Sequence, residues 1–249
     1  MEINENVSKK EIKALLDTLY PYKIELHAHT TPVSRCSQIT PEEMAKTYSS
    51  LGYHAVVISN HFIGYMFEGM SKEEAIDYYM KDYEDCVSLE EKYNIKFYLA
   101  AEIRFEKQGC NDYLIYGCDR SVLSTAYEYL GSDVETYRKE VKLENSVFIQ
   151  AHPFRDGVFR ADPALLDGIE TFNLHPGQNS RIGLAASYSK ECGLEIMTAG
   201  SDFHHPDKKH EGVGAIRTKT LPCDSFELAE ILKSGDYLFE VGGNSIVLP

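Results

Sequence analysis

The chain has 249 residues, of which 43% are hydrophobic and 26% are charged, proportions typical of a globular protein. They exclude a disordered, collagen-like or coiled-coil protein as the main class. The 25 Lys and Arg residues against 39 Asp and Glu residues give a formal net charge of −14. This charge argues against extended nucleic-acid binding and against an anionic membrane as the chief partner.

Cysteine usage and apolar patterning predict a reduced, cytoplasmic protein. The six cysteines form no C-x-x-C pair, and no run of 18 apolar residues is present. Residues 1–16 contain no apolar core of signal-peptide length. We therefore expect no membrane partner, and the oligomeric state is not determined by the sequence.

Short apolar runs alternate with longer amphipathic runs, which predicts βα units around a parallel sheet. The predicted helices span residues 7–19, 41–51, 72–92, 133–144, 179–192 and 224–234. The predicted strands span residues 23–28, 54–59, 96–103, 112–117, 147–151, 168–173 and 194–200, with less regular patterns at 212–218 and 237–241. Capping patterns mark helix starts at Thr40, Ser71 and Asp224.

Seven strands with intervening helices predict a single α/β domain built as a (β/α)-type barrel, and a doubly wound open sheet is the alternative. We place a helical N-terminal extension at residues 1–20 and the barrel domain at residues 21–249. No G-x-G-x-x-G or P-loop motif follows any predicted strand, so the common nucleotide-binding loops are absent from the sequence.

Polar side chains gather at the predicted carboxyl ends of the strands. Five of the nine histidines lie there, namely His27, His29, His61, His152 and His204. Residues i and i+2 of a strand face the same side, so His27 and His29 converge. Asp202 and His204 repeat this spacing, and Glu102 lies late in the third strand. Because parallel α/β folds build active sites at this edge, the pattern predicts one polar site.

The residue types at this edge predict a metal centre. Neutral imidazoles and carboxylates suit zinc, manganese and iron(II), and the sequence does not choose among them. Glu102 can bridge two ions through its two oxygens. A mononuclear site needs three or four ligands, whereas at least seven candidates are present, so we expect a multinuclear site. Such ions could generate hydroxide at neutral pH and bind a phosphoryl oxygen.

Five motifs together resemble those of the PHP family, named after polymerase and histidinol phosphatase. They are H-x-H (His27, His29), S-N-H (Ser59-Asn60-His61), A-E-I (Glu102), A-H-P (His152) and G-S-D-F-H (Asp202, His204). The resemblance runs from about residue 22 to residue 218. It implies a distorted (β/α)7 TIM-like barrel, two or three divalent metal ions and phosphoester hydrolysis.

The resemblance also implies a ligand set. His27, His29, Glu102 and Asp202 would hold the first ion, Glu102 and His152 the second, and His61 and His204 the third. Many relatives have T-D-H where this chain has Ser59-Asn60-His61. An H-L-L run of relatives is replaced by Asp112-Tyr113-Leu114, and we expect Asp112 to bind a metal ion.

The segment after H-x-H lacks the histidine of some relatives. Cys36 is a possible metal ligand there, or Arg35 occupies the space and binds phosphate. Arg155 and Arg181 also follow strands, and a guanidinium suits bidentate phosphate binding, although a surface salt bridge is the alternative for each. His175 follows a strand as well and is a candidate for lining the site.

The leading hypothesis is a histidinol-phosphatase-like hydrolase of a small phosphomonoester. A metal-bound hydroxide would attack phosphorus, with Asp202 among the catalytic residues, and His61 or His204 would protonate the leaving group. The alternatives are a metal-dependent nuclease or phosphodiesterase acting on oligonucleotides, an amidohydrolase-like hydrolase, and a non-catalytic module. The specific substrate is not encoded in any motif that we recognise.

Overall fold

The computed structural model describes residues 7–207, 209, 211–243 and 245–248. The first six residues of the predicted N-terminal extension lie outside this range. The helices described are α1 (Lys9–Leu19), α2 (Pro41–Ser50), α3 (Lys72–Val87), α4 (Glu90–Tyr93), α5 (Arg120–Tyr127), α6 (Val134–Glu140), α7 (Ile182–Cys192) and α8 (Ser225–Ser234).

The strands form a mixed α/β fold with the helices. They are β1 (Tyr22–Ala28), β2 (Ala55–Ile58), β3 (His61–Ile63), β4 (Lys96–Leu99), β5 (Ala101–Arg104), β6 (Asp112–Tyr116), β7 (Val147–Gln150), β8 (Gly168–Asn173), β9 (Ile196–Gly200), β10 (Gly214–Thr218), β11 (Leu238–Val241) and β12 (Ser245–Val247). The predicted α/β class is therefore confirmed.

Two six-stranded sheets contain these strands. One has the order β12-β11-β10-β1-β2-β4, and the other has the order β3-β5-β6-β7-β8-β9. A bridge between Ala28 and Phe203 links the end of β1 to the segment after β9. The closed seven-stranded barrel and the single domain stay predictions.

The chain crosses from one sheet to the other in two places, between β2 and β3 and between β4 and β5. The predicted strand 96–103 divides at Ala100, so that β4 pairs with β2 in one sheet and β5 pairs with β3 in the other. The amide of Ala100 donates to the Ile58 carbonyl at 2.9 Å, and that of Glu102 donates to the Asn60 carbonyl at 3.0 Å. This step places His61 directly beside Glu102 in the β3–β5 ladder.

The prediction of an all-parallel sheet is wrong around β6 and beyond β9. β6 runs antiparallel to both β5 and β7, and β10, β11 and β12 also pair in antiparallel fashion. The reason at β6 is the short connection over residues 105–111, because a parallel crossover needs a dozen or more residues. The first residue of β6, Asp112, consequently lies opposite the last residue of β5, Arg104.

Helix starts follow the predicted caps. The hydroxyls of Thr40 and Ser71 accept from the amides of Glu43 and Glu74, whose carboxylates accept from the cap residues in return. The predicted helix 72–92 divides into α3 and α4, where the Ser88 hydroxyl donates to the Asp85 carbonyl at 2.7 Å. α5 was not predicted.

Apolar packing fixes the strands that carry the polar edge. Tyr113 of β6 and Phe148 of β7 are fully buried and stack with ring centroids 5.1 Å apart, and Phe148 also contacts Tyr137 of α6. A fully buried side chain of this size stabilises the fold by about 2–3 kcal/mol. Among the residues described, no helix combines the length and the apolar character that crossing a membrane requires.

Candidate metal centre

Seven residues from five segments of the chain meet where these strands end. They are His27 on β1, His29 directly after it, His61 at the start of β3, Glu102 on β5, His152 beyond β7, and Asp202 and His204 beyond β9. The side chain of His61 is 16% exposed, and the other six residues are buried. The structure thus brings together all the residues of the five motifs that the sequence analysis singled out as ligands.

His27 and His29 present bare nitrogen atoms to each other. His27 Nδ1 lies 2.8 Å from the Glu170 carboxylate, which accepts its proton. His29 Nδ1 lies 3.1 Å from the hydroxyl of Ser34, which donates to Asn60 and so accepts from His29. Each neutral ring then carries its lone pair on Nε2, and the two Nε2 atoms are 3.0 Å apart. In these tautomers the two lone pairs face each other, and a proton or a metal ion between them would satisfy both.

Glu102 lies at the centre of four imidazoles. Its Oε1 atom is 3.0 Å from His152 Nε2 and 3.4 Å from His27 Nε2. Its Oε2 atom is 2.7 Å from His61 Nδ1 and 3.4 Å from His29 Nε2. A carboxylate so placed can bridge two metal ions.

The contact between His61 and Glu102 does not have the geometry of a hydrogen bond. Although His61 Nδ1 and Glu102 Oε2 are 2.7 Å apart, both atoms are buried without a hydrogen-bond partner. Buried polar atoms are nearly always satisfied, so two such atoms side by side call for an explanation. A shared metal ion would satisfy both atoms at once.

Asp202 completes the contacts of the first two histidines. Its Oδ1 atom lies 3.5 Å from His27 Nε2 and 3.3 Å from His29 Nε2. Asp202 has φ 52° and His152 has φ 31°, a left-handed region that costs about 1–3 kcal/mol for residues other than glycine. Two of the four described non-glycine residues with positive φ therefore aim side chains into the site, the others being Asn94 and Arg181.

Three groups of these side chains could each hold a metal ion. They are His29, His61 and His204; His27, His29 and Asp202; and Glu102, Asp112 and His152. Within each group the donor atoms lie within 4.8 Å of one another. The donor types, the paired lone pairs and the unpartnered atoms all fit divalent cations, so the site supports divalent metal binding.

The charges of the site favour added positive charge at two histidines. Burial lowers the pKa of His27, but the negative charges of Glu170, Asp202 and Glu102 together outweigh burial. They hold this pKa well above its ordinary value. His61 is likewise raised, chiefly by Glu102 against the effect of burial. Burial and the neighbouring His204 and His61 hold the pKa of His29 well below its ordinary value.

A cavity of about 300 Å³ opens onto this centre. Its lining includes His61, Glu102, His152, Asp202 and His204, while His27 and His29 are fully buried. Cys36 and His175, both singled out from the sequence, also line it. Burial raises the pKa of the Cys36 thiol, but the hydrogen bonds with His204 and His61 together outweigh burial and bring this pKa down to about 6.

The four candidate substrate-binding residues separate into two groups. Arg155 and His175 line the cavity, and Arg155 donates to Asp202 Oδ2 at 2.6 Å and to Asn173 Oδ1 at 2.8 Å. Arg181 is not among the lining residues and binds Asp156 at 2.5 Å. Arg35 is exposed outside the lining, with one long contact of 3.4 Å to the Met66 carbonyl.

Asp112 and Arg104 form a bidentate ion pair at the cavity wall. Arg104 Nε and Nη2 lie 2.7 Å from the two carboxylate oxygens of Asp112. Asp112 Oδ2 is 3.8 Å from His152 Nε2, so the carboxylate lies near the centre, but with a guanidinium already attached. The expected metal binding by Asp112 stays a prediction. Asn60 lies outside the lining, where its amide group binds Thr30 and Ser34.

Sequence reasoning missed Glu170, Asn173 and Arg104. Glu170 orients His27 and also accepts from the backbone amide of His152 at 3.0 Å and from Asn173 at 3.0 Å. The signal for Glu170 was a carboxylate inside the apolar strand GIETFN, where an unpaired charge is costly. The signal for Arg104 was its position two residues after Glu102, on the same face of the strand.

No protein-family model matches the chain, and neither does any curated protein by sequence. A structure of a two-domain protein from Bacteroides vulgatus ATCC 8482, described as containing a predicted PHP-like metal-dependent phosphoesterase, is similar, with a TM-score of 0.58 and 16% identity. That alignment covers 89% of this chain and 65% of that chain, so this chain spans less than two thirds of its length.

PsfC from Pseudomonas syringae PB-5123 is also similar in structure. Its TM-score is 0.56 at 11% identity, and the alignment covers 84% of this chain and 87% of PsfC. At these identities the likeness shows a shared fold. The chain therefore has the fold of a protein described as containing a PHP-like metal-dependent phosphoesterase, in agreement with the resemblance that its five motifs indicated.

Proposed function

We propose that the protein is a metal-dependent phosphoesterase that hydrolyses a small phosphomonoester. One observation carries the proposal: the Nε2 atoms of His27 and His29 lie 3.0 Å apart, with oxygens of Glu102 and Asp202 within 3.5 Å. Nitrogen and oxygen donors in this arrangement form a site for divalent cations, with the manganese, iron and zinc class as candidates.

The ligands in this proposal follow the donor groups. His27, His29, Glu102 and Asp202 would hold one ion, and His61 and His204 would contribute to another beside His29. Glu102 would also share a further ion with His152. When bound, divalent ions would polarise phosphoryl oxygens and lower the pKa of a coordinated water molecule.

Positive side chains at the cavity support phosphate as the anion bound there. Arg104 and Arg155 both line the cavity, and a guanidinium matches the geometry of a phosphate group. The cavity volume of about 300 Å³ is at the lower end for small-molecule sites, so a compact substrate fits it best. With a net charge of −14, the chain is poorly suited to hold an extended oligonucleotide.

His204 is the proposed donor of a proton to the leaving oxygen. Its Nδ1 atom donates to the Asp202 carbonyl at 2.8 Å, which fixes the ring and leaves Nε2 for one of two alternative roles. Nε2 would either bind the ion beside His29 or, when no ion takes it, hold the transferable proton. The His204 side chain is 11% exposed, so it is reachable from the cavity that it lines. Asp202 would act by holding His204 and Arg155 in place while it binds metal.

The test is phosphate release from a panel of phosphomonoesters by manganese-loaded protein, with the His29→Ala variant as the blank. Zinc-loaded and iron-loaded protein, oligonucleotide diesters and amide substrates are assayed in parallel. Release from monoesters that disappears in the variant would support the proposal. Cleavage of the diesters or amides without any release from monoesters would replace it with a nuclease or an amidohydrolase.

A further inference from the structure

Arg104 and Asp112 are built as a unit by the β5–β6 hairpin. The two residues lie directly opposite each other in the antiparallel ladder, and two bonds of 2.7 Å join their side chains. The Asp112 side chain is 4% exposed and that of Arg104 is 29% exposed. The carboxylate is therefore buried, whereas the guanidinium reaches the cavity that it lines.

This ion pair changes the charge at one of the three donor groups. Glu102, Asp112 and His152 could hold a metal ion together, yet both oxygens of Asp112 already accept from a guanidinium. A bidentate guanidinium–carboxylate pair neutralises the carboxylate and fixes its plane. Asp112 is thereby a weaker ligand than Glu102, whose described ion pairs are all with imidazoles.

Arg104 retains donors for a ligand. A guanidinium carries five N–H groups in a fixed fork, and Asp112 uses only those on Nε and Nη2. Arg155 also retains donors, because it binds Asp202 and Asn173 through Nη2 alone, but the carboxylate that holds it is a proposed metal ligand. The two arginines therefore differ in their carboxylate partners. Asp202, which holds Arg155, lies beside His27 and His29, whereas Asp112, which holds Arg104, does not pair with them.

We infer that Arg104 is a fixed cation of this site, oriented by Asp112 to bind the phosphoryl oxyanion of the substrate, and that Asp112 positions Arg104 and does not ligate metal. The inference rests on the proposed function for the identity of its substrate. The ligand class is a tetrahedral oxyanion with three or more free oxygens, such as a phosphomonoester or inorganic phosphate. A diester offers fewer charged oxygens to this guanidinium.

The experiment measures metal content and phosphate binding, neither of which needs turnover. Manganese equivalents are counted by mass spectrometry after dialysis, and the Kd of inorganic phosphate for the manganese-loaded protein is measured by calorimetry. The variants are Asp112→Asn, Arg104→Gln and Arg104→Lys. Arg138→Gln is the matched control, because Arg138 forms a similar Arg–Asp pair with Asp167 at 2.9 Å away from the cavity.

We expect Asp112→Asn to keep the manganese content of the wild type and to weaken phosphate binding about tenfold, because the guanidinium loses its orientation. Arg104→Gln should weaken phosphate binding about 100-fold, and Arg104→Lys by an intermediate factor, because lysine keeps the charge but not the fork. Arg138→Gln should leave both quantities unchanged. The lysine variant remains informative if the glutamine variant does not fold.

Loss of one manganese equivalent in Asp112→Asn would overturn the inference and identify Asp112 as a ligand. Unchanged phosphate affinity in the Arg104 variants, or no phosphate binding by the wild type, would also overturn it. A protein that binds phosphate through Arg104 but hydrolyses no ester would leave this inference standing and refute the proposed function.

Discussion

Glu102 and Asp112 are buried carboxylates on adjacent strands of one hairpin, yet their surroundings are opposite. Glu102 faces His27, His29, His61 and His152 at 2.7–3.4 Å, with no arginine or lysine paired to it among the described residues. Asp112 has Arg104 at 2.7 Å on both of its oxygens. Glu102 and its histidines are thus placed to take up a cation from solution, whereas Asp112 already has the guanidinium of Arg104 as its cation.

The comparison separates two ways of placing positive charge beside a substrate. Imidazoles with bare nitrogen atoms accept a proton or a metal ion, so the charge there depends on what is bound. A guanidinium is always charged and needs no cofactor. We expect variants on the histidine side to lose metal ions and variants on the arginine side to lose affinity for the anion.

The largest effect is expected for His29→Ala, which removes a bare Nε2 that belongs to two of the donor groups. Because metal ions stabilise a transition state by several kcal/mol, kcat/KM should fall by about 10³-fold. The matched control is His54→Ala, since His54 is exposed just before β2, at the opposite end from the site. Equal losses in both variants would contradict the assignment of the site.

Metal removal should change stability next most strongly. An ion present at 100 times its Kd stabilises the folded state by about 2.7 kcal/mol, which corresponds to about 5–10 °C in Tm for a chain of this size. Calorimetric unfolding of chelator-stripped and manganese-loaded protein measures the difference. The same scan on His29→Ala should show a clearly smaller shift, and an identical shift would place the stabilising ion elsewhere.

Glu170→Gln tests whether the orientation of His27 matters. The variant removes the negative charge that accepts from His27 Nδ1 at 2.8 Å, and metal affinity should fall about 10- to 100-fold. Competition with a chelating dye measures the affinity. Glu195→Gln, at an exposed position, is the control and should bind metal as the wild type does.

The smallest effects are expected for Arg155 and Arg181, which the sequence offers as equivalent candidates for phosphate binding. Arg155→Gln should lower kcat/KM about tenfold, because the variant releases Asp202 from a 2.6 Å ion pair. Arg181→Gln should change it less than twofold, since Arg181 pairs with the exposed Asp156 outside the cavity lining. A larger loss for Arg181 than for Arg155 would reverse the placement of the substrate.

Much of the fold was predictable from periodicity and caps. Alternating apolar runs located β1, β2 and β6 to β9 closely, and capping boxes located the starts of α2 and α3. The passage from β4 to β5 at Ala100 was not predictable, because all five residues from Tyr98 to Glu102 read as one strand. Which sheet a strand segment joins depends on its neighbours and not on its own pattern.

The candidate ligands were predictable because their spacing is local. Residues i and i+2 of a strand share a face whatever the fold, so His27 with His29 and Asp202 with His204 could be grouped directly. The partners that give those ligands their properties come from distant segments. Glu170 lies 143 residues from His27, and neither residue type nor spacing connects the two.

The sequence by itself determined which side chains are candidate ligands and that they gather at strand ends, since strand geometry and donor type are local properties. Only the tertiary structure decided which nitrogen atoms are bare, which carboxylate already has a cation, and which arginines reach the cavity. Asp112 shows the reason: at the start of a parallel strand it would lie away from the site. The antiparallel pairing of β5 and β6 instead places it beside Arg104 and His152.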